Sequence, residues 1–210
     1  MNKIDINEEK ASTLNINEDK TIYILTKSAI NKIFNVGKNA KLTVYHYSID
    51  STSDIEINLN GENANVEYHY STISYNDNIL KMNINHNSKK TISNVYNHGV
   101  NVLENKLSFY INGIIPKNID GCVCNQENQI INIVNGQSTI LPNLLIDNYD
   151  VSSSHSAYIG KFRDEVLFYL MSRGISKEKA THLLIEGLLI SGGDLEQEEV
   201  IKFQTEIENI

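Results

Sequence analysis

The chain has 210 residues, a formal net charge of −8 and two cysteines. This length suits one domain with an appendage, and it allows a substantial core without disulfide bonds. The acidic balance and the lack of a lysine–arginine cluster argue against nucleic-acid binding. The polar N-terminus and the absence of a ~20-residue apolar run predict a cytoplasmic protein without signal peptide or membrane span.

Residues 1–18 are predicted as a polar lead-in, and residues 19–158 as a β domain. In the β domain, β-branched and aromatic residues alternate with polar ones in short runs, which is typical of half-buried strands. The clearest runs are Thr21–Thr26, Lys41–Ile49, Asn65–Ile73, Leu80–His86 and Leu107–Ile111. Turn residues divide the region, among them Asn60–Gly61, His98–Gly99, Asn112–Gly113 and Asn135–Gly136.

The arrangement of these strands has two interpretations. Their spacing is often about ten residues with no helical pattern between them, which suits a β-sandwich or a β-helix of stacked short strands. Asparagine recurs at turn positions, and it tolerates the left-handed backbone conformation that tight solenoid corners need. This favours the β-helix, but no strict repeat of fixed period is present, so the pattern leaves both folds open.

Residues 159–210 change to a helical pattern. Apolar residues fall on one face of a predicted helix over Lys161–Arg173, which ends at Gly174. Ser176 is placed to cap a second helix, and Asp194 to cap a third, acidic one. The second helix has an apolar side formed by Ala180, Leu183, Leu184, Gly187 and Leu188.

Three residues are candidate ligands. Cys122 and Cys124 share one strand face, a spacing that is poor for a disulfide and suits a shared metal or cluster. The alternative is that they are small buried hydrophobes. His155 lies in the serine-rich segment Ser152–Ser156, where strands give way to helices. It is a candidate soft-metal ligand or proton carrier, unless neighbouring hydroxyls merely satisfy its ring.

Two strings, Tyr45-His46-Tyr47 and Tyr68-His69-Tyr70, nearly repeat each other. They suit a ligand-binding face, but the stacking of like side chains on neighbouring strands explains them more simply. The sequence contains no phosphate-binding glycine loop, no H-E-x-x-H, no G-x-S-x-G and no paired C-x-x-C. The commonest nucleotide-dependent and hydrolytic chemistries are therefore not indicated.

A series of motifs runs in order through the second half of the chain. It comprises Ile84–Ser88, Thr91–Ser93, His98–Val100, Phe109–Gly113, Pro142–Leu144, Asp150–His155 and Asp164–Ile175. The last two resemble the patterns D-V-x-C-S-H and L-F-Y-L-x-S-R-G-I. Together these motifs resemble the SufB/SufD family, the scaffold proteins of the Suf iron–sulfur cluster assembly system, and the chain is similar to a short, SufD-like member.

The resemblance implies a mainly β fold, a right-handed parallel β-helix with a C-terminal α-helical subdomain. It implies a scaffold without enzymatic turnover of its own. The C-terminal helices are expected to bind a SufC-like ATPase, through Phe168, Tyr169 and Arg173. The β-helix is expected to pair with a SufB-like subunit or with a second copy of the chain.

The resemblance also assigns the candidate ligands. In the family a transient iron–sulfur cluster is built between subunits by a SufB cysteine and a SufD histidine, and His155 matches that histidine by motif. Cys122 and Cys124 remain further candidates, and no permanently bound cofactor is expected. Ser153 replaces the cysteine of the family motif, which favours the alternative of a structural ATPase partner that has lost the cluster site. A β-helix carbohydrate-active protein ranks last, because the carboxylates are scattered.

Overall fold

The computed structural model describes residues 3–5, 12–190 and 192–210. The strands are β1 (Lys3–Asp5), β2 (Thr13–Ile16), β3 (Lys20–Thr26), β4 (Ile30–Val36), β5 (Lys41–Ile49), β6 (Ser53–Leu59), β7 (Asn65–Ser74), β8 (Asn78–His86), β9 (Ile92–Asn101), β10 (Lys106–Ile115), β11 (Cys122–Asn132), β12 (Gln137–Ile146) and β13 (Val151–Gly160). The helices are α1 (Asp164–Ser172), α2 (Lys177–Leu189) and α3 (Glu198–Ile207). Within the described ranges, no helix combines the length and apolar character that crossing a membrane requires.

The strands form two parallel sheets that wind into a β-helix. The odd-numbered strands make one sheet in the order β1-β3-β5-β7-β9-β11-β13, and the even-numbered strands make the other in the order β2-β4-β6-β8-β10-β12. Pairing is parallel in both sheets. Because the chain alternates between the odd sheet and the even sheet, each coil stacks on the previous one. The predicted β-helix with C-terminal helices is confirmed, and the sandwich is excluded.

The coils differ in length, which explains why the sequence has no fixed repeat. Tyr23 pairs with Tyr45, a spacing of 22 residues, whereas Tyr96 pairs with Glu127, a spacing of 31. The additional residues lie in longer strands and corners, while the pairing register along the odd sheet is preserved. A solenoid needs matching register between neighbouring strands but not equal coil lengths.

Asparagine stabilises the β-helix in two ways. Asn39, Asn63 and Asn118 adopt positive φ in corners, as the turn pattern predicts. Other asparagines form ladders that run across neighbouring strands of a sheet. In each ladder, the side-chain NH₂ group of one asparagine donates to the side-chain oxygen of the asparagine one coil away, at 2.8–3.1 Å. One such ladder on the even sheet joins Asn15, Asn35, Asn58 and Asn85.

Two predicted turns are wrong. His98–Gly99 lies within β9, and Asn112–Gly113 lies within β10. Both glycines face crowded interior positions, and a Cβ atom on Gly113 would lie 2.5 Å from the Cys124 sulfur. These glycines therefore serve close packing between coils rather than chain reversal. The lead-in predicted for residues 1–18 contains β1 and β2, while residues 1, 2 and 6–11 lie outside the described residues.

The helical subdomain packs on the outer face of the odd sheet. Helix α2 contacts β9, and α3 contacts β3 and β5. The Ser176 hydroxyl caps α2 as predicted, but α3 begins at Glu198 with Gln197 as its N-cap, not at Asp194. The buried side of α2 agrees with the predicted one at Ala180 and differs in that Ile185 and Leu189 are its other buried residues. Packing against the outer face of the odd sheet decides which side of α2 is buried, and the sequence pattern of the helix does not predict that packing.

Candidate functional site

The last coil leaves one end of the β-helix open. Strands β12 and β13 are the last strands of their sheets, and no described strand pairs with their outer edges. Most residues of β13 are exposed, in contrast to the equivalent positions of β11. The backbone groups along such an edge are free to pair with another strand. The candidate ligands lie on or next to this end.

Cys122 and Cys124 both point into the β-helix, as their spacing predicts. They are buried in a small apolar cluster with Ile115. The Cys122 sulfur lies 3.3 Å from the Thr91 hydroxyl. Burial raises the pKa of Cys124 above its ordinary value, which keeps this thiol protonated and weakens it as a nucleophile or ligand.

A buried histidine with two hydroxyl partners lies next to this apolar cluster. His86 contacts the Thr91 hydroxyl through Nδ1 at 2.7 Å and the Ser93 hydroxyl through Nε2 at 2.9 Å. Burial lowers the pKa of His86 to about 4, so the ring is neutral near pH 7. The hydroxyls of Thr91 and Ser93 separate His86 from the two thiols. His86 is thus a satisfied interior histidine.

His155 lies at the open end, on the face of the odd sheet that lines the interior. It pairs in register with the buried Gln126, and Ser153 pairs with Cys124. Because no coil covers β13, the side chain of His155 is exposed. It borders a groove of about 450 Å³ that crosses the middle of β9, β11 and β13. Within the described chain, the Oγ of Ser153 and the Oε1 of Gln126 are buried without a hydrogen-bond partner.

The three candidate ligands therefore share one end of the β-helix without converging on a point. Among the residues that the structure describes, no three His, Cys, Asp or Glu side chains are arranged to hold a metal ion. His155 faces solvent, whereas the two thiols lie one strand inward.

Helix α1 forms a second candidate surface. None of its residues is buried, and Phe168 and Tyr169 are 71% and 59% exposed. The Arg173 guanidinium carbon lies 5.3 Å from the centre of the Tyr169 ring, a cation–π contact that orders both side chains. The structure thus brings Tyr169 and Arg173 together and leaves Phe168 exposed beside them on a helix that packs on one side, against α2.

The near-repeated aromatic strings have a structural role. Tyr23, Tyr45, His69 and Tyr96 stack along the outer face of the odd sheet with ring centres 4.8–5.0 Å apart. The simpler interpretation, stacking of neighbouring side chains, is confirmed for these rings. His46 points inward instead, where its Nδ1 contacts the Tyr68 hydroxyl at 2.9 Å.

Gln126 and Glu127, which line the groove beside His155, were not among the predicted site residues. Both follow the C-x-C pair, but nothing in their local sequence distinguishes them from other polar residues of a strand. Only the register between β11 and β13, which spans 29 residues of chain, places Gln126 opposite His155.

A family model, described as the SUF system FeS cluster assembly SufBD core domain, matches residues 9–188. A SufBD family protein of iron–sulfur cluster assembly from Pyrococcus horikoshii is 53% identical over 45 residues, 21% of this chain and 10% of the relative. The iron–sulfur cluster assembly protein SufD of Bacillus subtilis is 35% identical over 107 residues, covering 50% of this chain and 24% of SufD. The SufB protein of the same organism is 44% identical over 52 residues, 25% of this chain and 11% of SufB.

The matched stretches therefore span about a quarter or less of these relatives. The family model extends well into the first coils, where the motif series does not reach.

Proposed function

Since the chain belongs to the SufB/SufD family, we propose that it is a non-catalytic scaffold subunit of iron–sulfur cluster assembly. It acts in the cytoplasm in complex with a SufC-like ATPase, and it pairs through its β-helix with a SufB-like subunit or a second copy of itself. The cluster is cargo, held transiently between subunits.

The exposure of α1 is the observation that carries this proposal. Phe168 and Tyr169 present large aromatic surfaces to solvent on a helix without buried residues. Aromatic residues and arginine are enriched among the residues that dominate protein–protein binding, and Arg173 lies against Tyr169. We assign this surface, formed by Phe168, Tyr169 and Arg173, to the ATPase subunit and call it the docking surface.

The docking surface is tested by substitution. We expect Phe168→Ala or Tyr169→Ala to weaken binding of the SufC-like ATPase roughly 30-fold, as for central interface residues. Leu195→Ala is the matched control, because Leu195 is equally exposed but lies between α2 and α3. Titration calorimetry measures the affinities. If the parent chain does not bind the ATPase, both the scaffold function and its structural alternative are wrong.

The open end of the β-helix supports pairing with a second scaffold subunit. The unpaired edges of β12 and β13 offer backbone donors and acceptors to a partner. Such a partner would cover His155 and supply the ligands that this chain lacks around it. ATP binding by the docked ATPase would then move the helical subdomain and strain this interface, exposing the site.

Cluster binding is tested in the assembled complex after anaerobic reconstitution. We expect His155→Ala to lower cluster retention at least about tenfold, the usual effect of losing a metal-site residue. A Cys122→Ser/Cys124→Ser double variant tests the thiols, and His182→Ala on α2 is the control. The metal role is wrong if His155→Ala and the double variant both retain the cluster as the parent does.

A structural partner that binds the ATPase but not the cluster is the second candidate. Ser153 occupies the position of the family's cysteine, and burial disfavours the thiolate form of Cys124. This candidate predicts intact ATPase binding together with no dependence of the cluster on His155.

A further inference from the structure

The triplet His98-Gly99-Val100 lies between two parts of the molecule. Gly99 faces the interior, where a Cβ atom would approach Leu107 and Phe109 side-chain carbons to 2.8 and 2.9 Å. Val100 faces outward and is buried under the helices. His98 also faces outward, toward the end of α2. The triplet therefore joins the β-helix interior to the helical subdomain.

His98 binds the C-terminal end of α2. Its Nδ1 lies 3.0 Å from the carbonyl oxygen of Leu188, and the Ser71 hydroxyl donates to the carbonyl oxygen of Leu189 at 2.7 Å. Carbonyl groups in the last turn of a helix have no partner within the helix. Ser71 and His98 are register partners on β7 and β9. The odd sheet thus supplies two side-chain donors where α2 ends.

The other ring nitrogen of His98 faces β11. Its Nε2 lies 3.4 Å from an Oε1 atom of Glu127, which is paired in register between Tyr96 and Ser156. Burial is the main cause that lowers the pKa of His98, so the ring is neutral near pH 7. A neutral ring has one N–H, and both neighbours are acceptors. The contact to the Leu188 carbonyl is the shorter one, 3.0 Å against 3.4 Å to the carboxylate of Glu127, whose side chain is 54% exposed to water. The shorter contact favours the proton on Nδ1, where it donates to the Leu188 carbonyl.

Helix α1 is connected to the β-helix through α2. It packs on α2, and α2 contacts the β-helix through β9. We propose that His98 is a positioning residue that anchors α2 to the odd sheet by donating from Nδ1 to the Leu188 carbonyl, so that the docking surface on α1 moves with the coils next to His155. This inference rests on the proposed function only for the partner that binds α1.

Hydrogen–deuterium exchange on the full chain tests the anchor with two variants of similar size. The amide of His98→Asn can donate from near the Nδ1 position, whereas that of His98→Gln reaches the Nε2 position. We expect the last turn of α2 to exchange about five- to tenfold faster in His98→Gln and at the parental rate in His98→Asn, the effect of losing one hydrogen bond. Glu127→Gln, the control, is expected to leave this rate unchanged.

Other outcomes overturn the proposal. Equal rates in both His98 variants and the parent mean that the donor does not anchor α2. Equally fast exchange in both variants means that the ring shape matters instead, and faster exchange only in His98→Asn makes Glu127 the anchor. The measurement needs no partner, so its result is independent of whether the ATPase binds the docking surface.

Discussion

Phe203→Ala is expected to lower the free energy of unfolding by roughly 3–5 kcal/mol, the usual cost of truncating a fully buried phenylalanine. Phe203 is completely buried on α3, and its ring centre lies 4.9 Å from that of Tyr47 on β5. The cluster around Phe203 is separate from the core inside the β-helix. The truncation should therefore detach the helical subdomain before the β-helix unfolds. Urea unfolding, monitored by the circular dichroism signal of the helices, measures the change in stability.

Ile201→Ala is the matched control for this prediction. Ile201 lies on the same helix but is 51% exposed, so its truncation should change stability by no more than about 0.5 kcal/mol. Comparable losses in the two variants would show that α3 is not held by its buried face. Because α1 packs on α2 in the same subdomain, Phe203→Ala should also weaken ATPase binding without touching the docking surface.

Acidification is expected to destabilise the β-helix through His86. The folded pKa of about 4 lies below the ordinary value of 6.5, so the unfolded chain binds more protons between these values and stability falls as pH falls. For one such group, the free energy of unfolding falls by roughly 3 kcal/mol between pH 7 and pH 4. The expected result is that His86→Gln removes about this much of the pH dependence in urea unfolding.

Ser93→Ala distinguishes the effect of protonating His86 from the effect of losing a contact to its ring. It removes the hydroxyl that contacts His86 Nε2 but leaves the buried ring in place. The variant should therefore be less stable at pH 7 and still lose stability on acidification. A His86→Gln chain with the full parental pH dependence would mean that His86 is not the group that titrates. His46, whose pKa burial lowers to about 3, contributes in the same direction and remains in both variants.

Local patterns predicted the strands well, because alternation reports which side chains are buried on a sheet. Lys41–Ile49 was predicted with the bounds that β5 has in the structure. The turns at His98–Gly99 and Asn112–Gly113 were wrong for one shared reason. Glycine and asparagine are common in turns, but in a solenoid they also permit close coil packing and amide ladders. Those contacts join residues far apart in sequence and have no local signal.

The candidate site was predictable only in part. The C-x-C spacing placed Cys122 and Cys124 on one face, and the structure buries both. The exposure of His155 was not predictable, since it depends on β13 being the last strand of its sheet. The apolar side of α2 was predicted only in part. Ala180 is buried as predicted, whereas the burial of Ile185 and Leu189 is due to the odd sheet and is not visible in the helix's own pattern.

The sequence by itself determined the strand content, the change to helices and the family resemblance, because these depend on residue type, alternation and short motifs. The motif Asp150–His155 predicts a cluster ligand at His155, which stays a prediction. Only the tertiary structure decided how His98 anchors α2, how α1 remains uncovered and why His155 faces an open end. Each of these depends on which strands pair and in what register, and register is set by contacts between residues 20 or more positions apart.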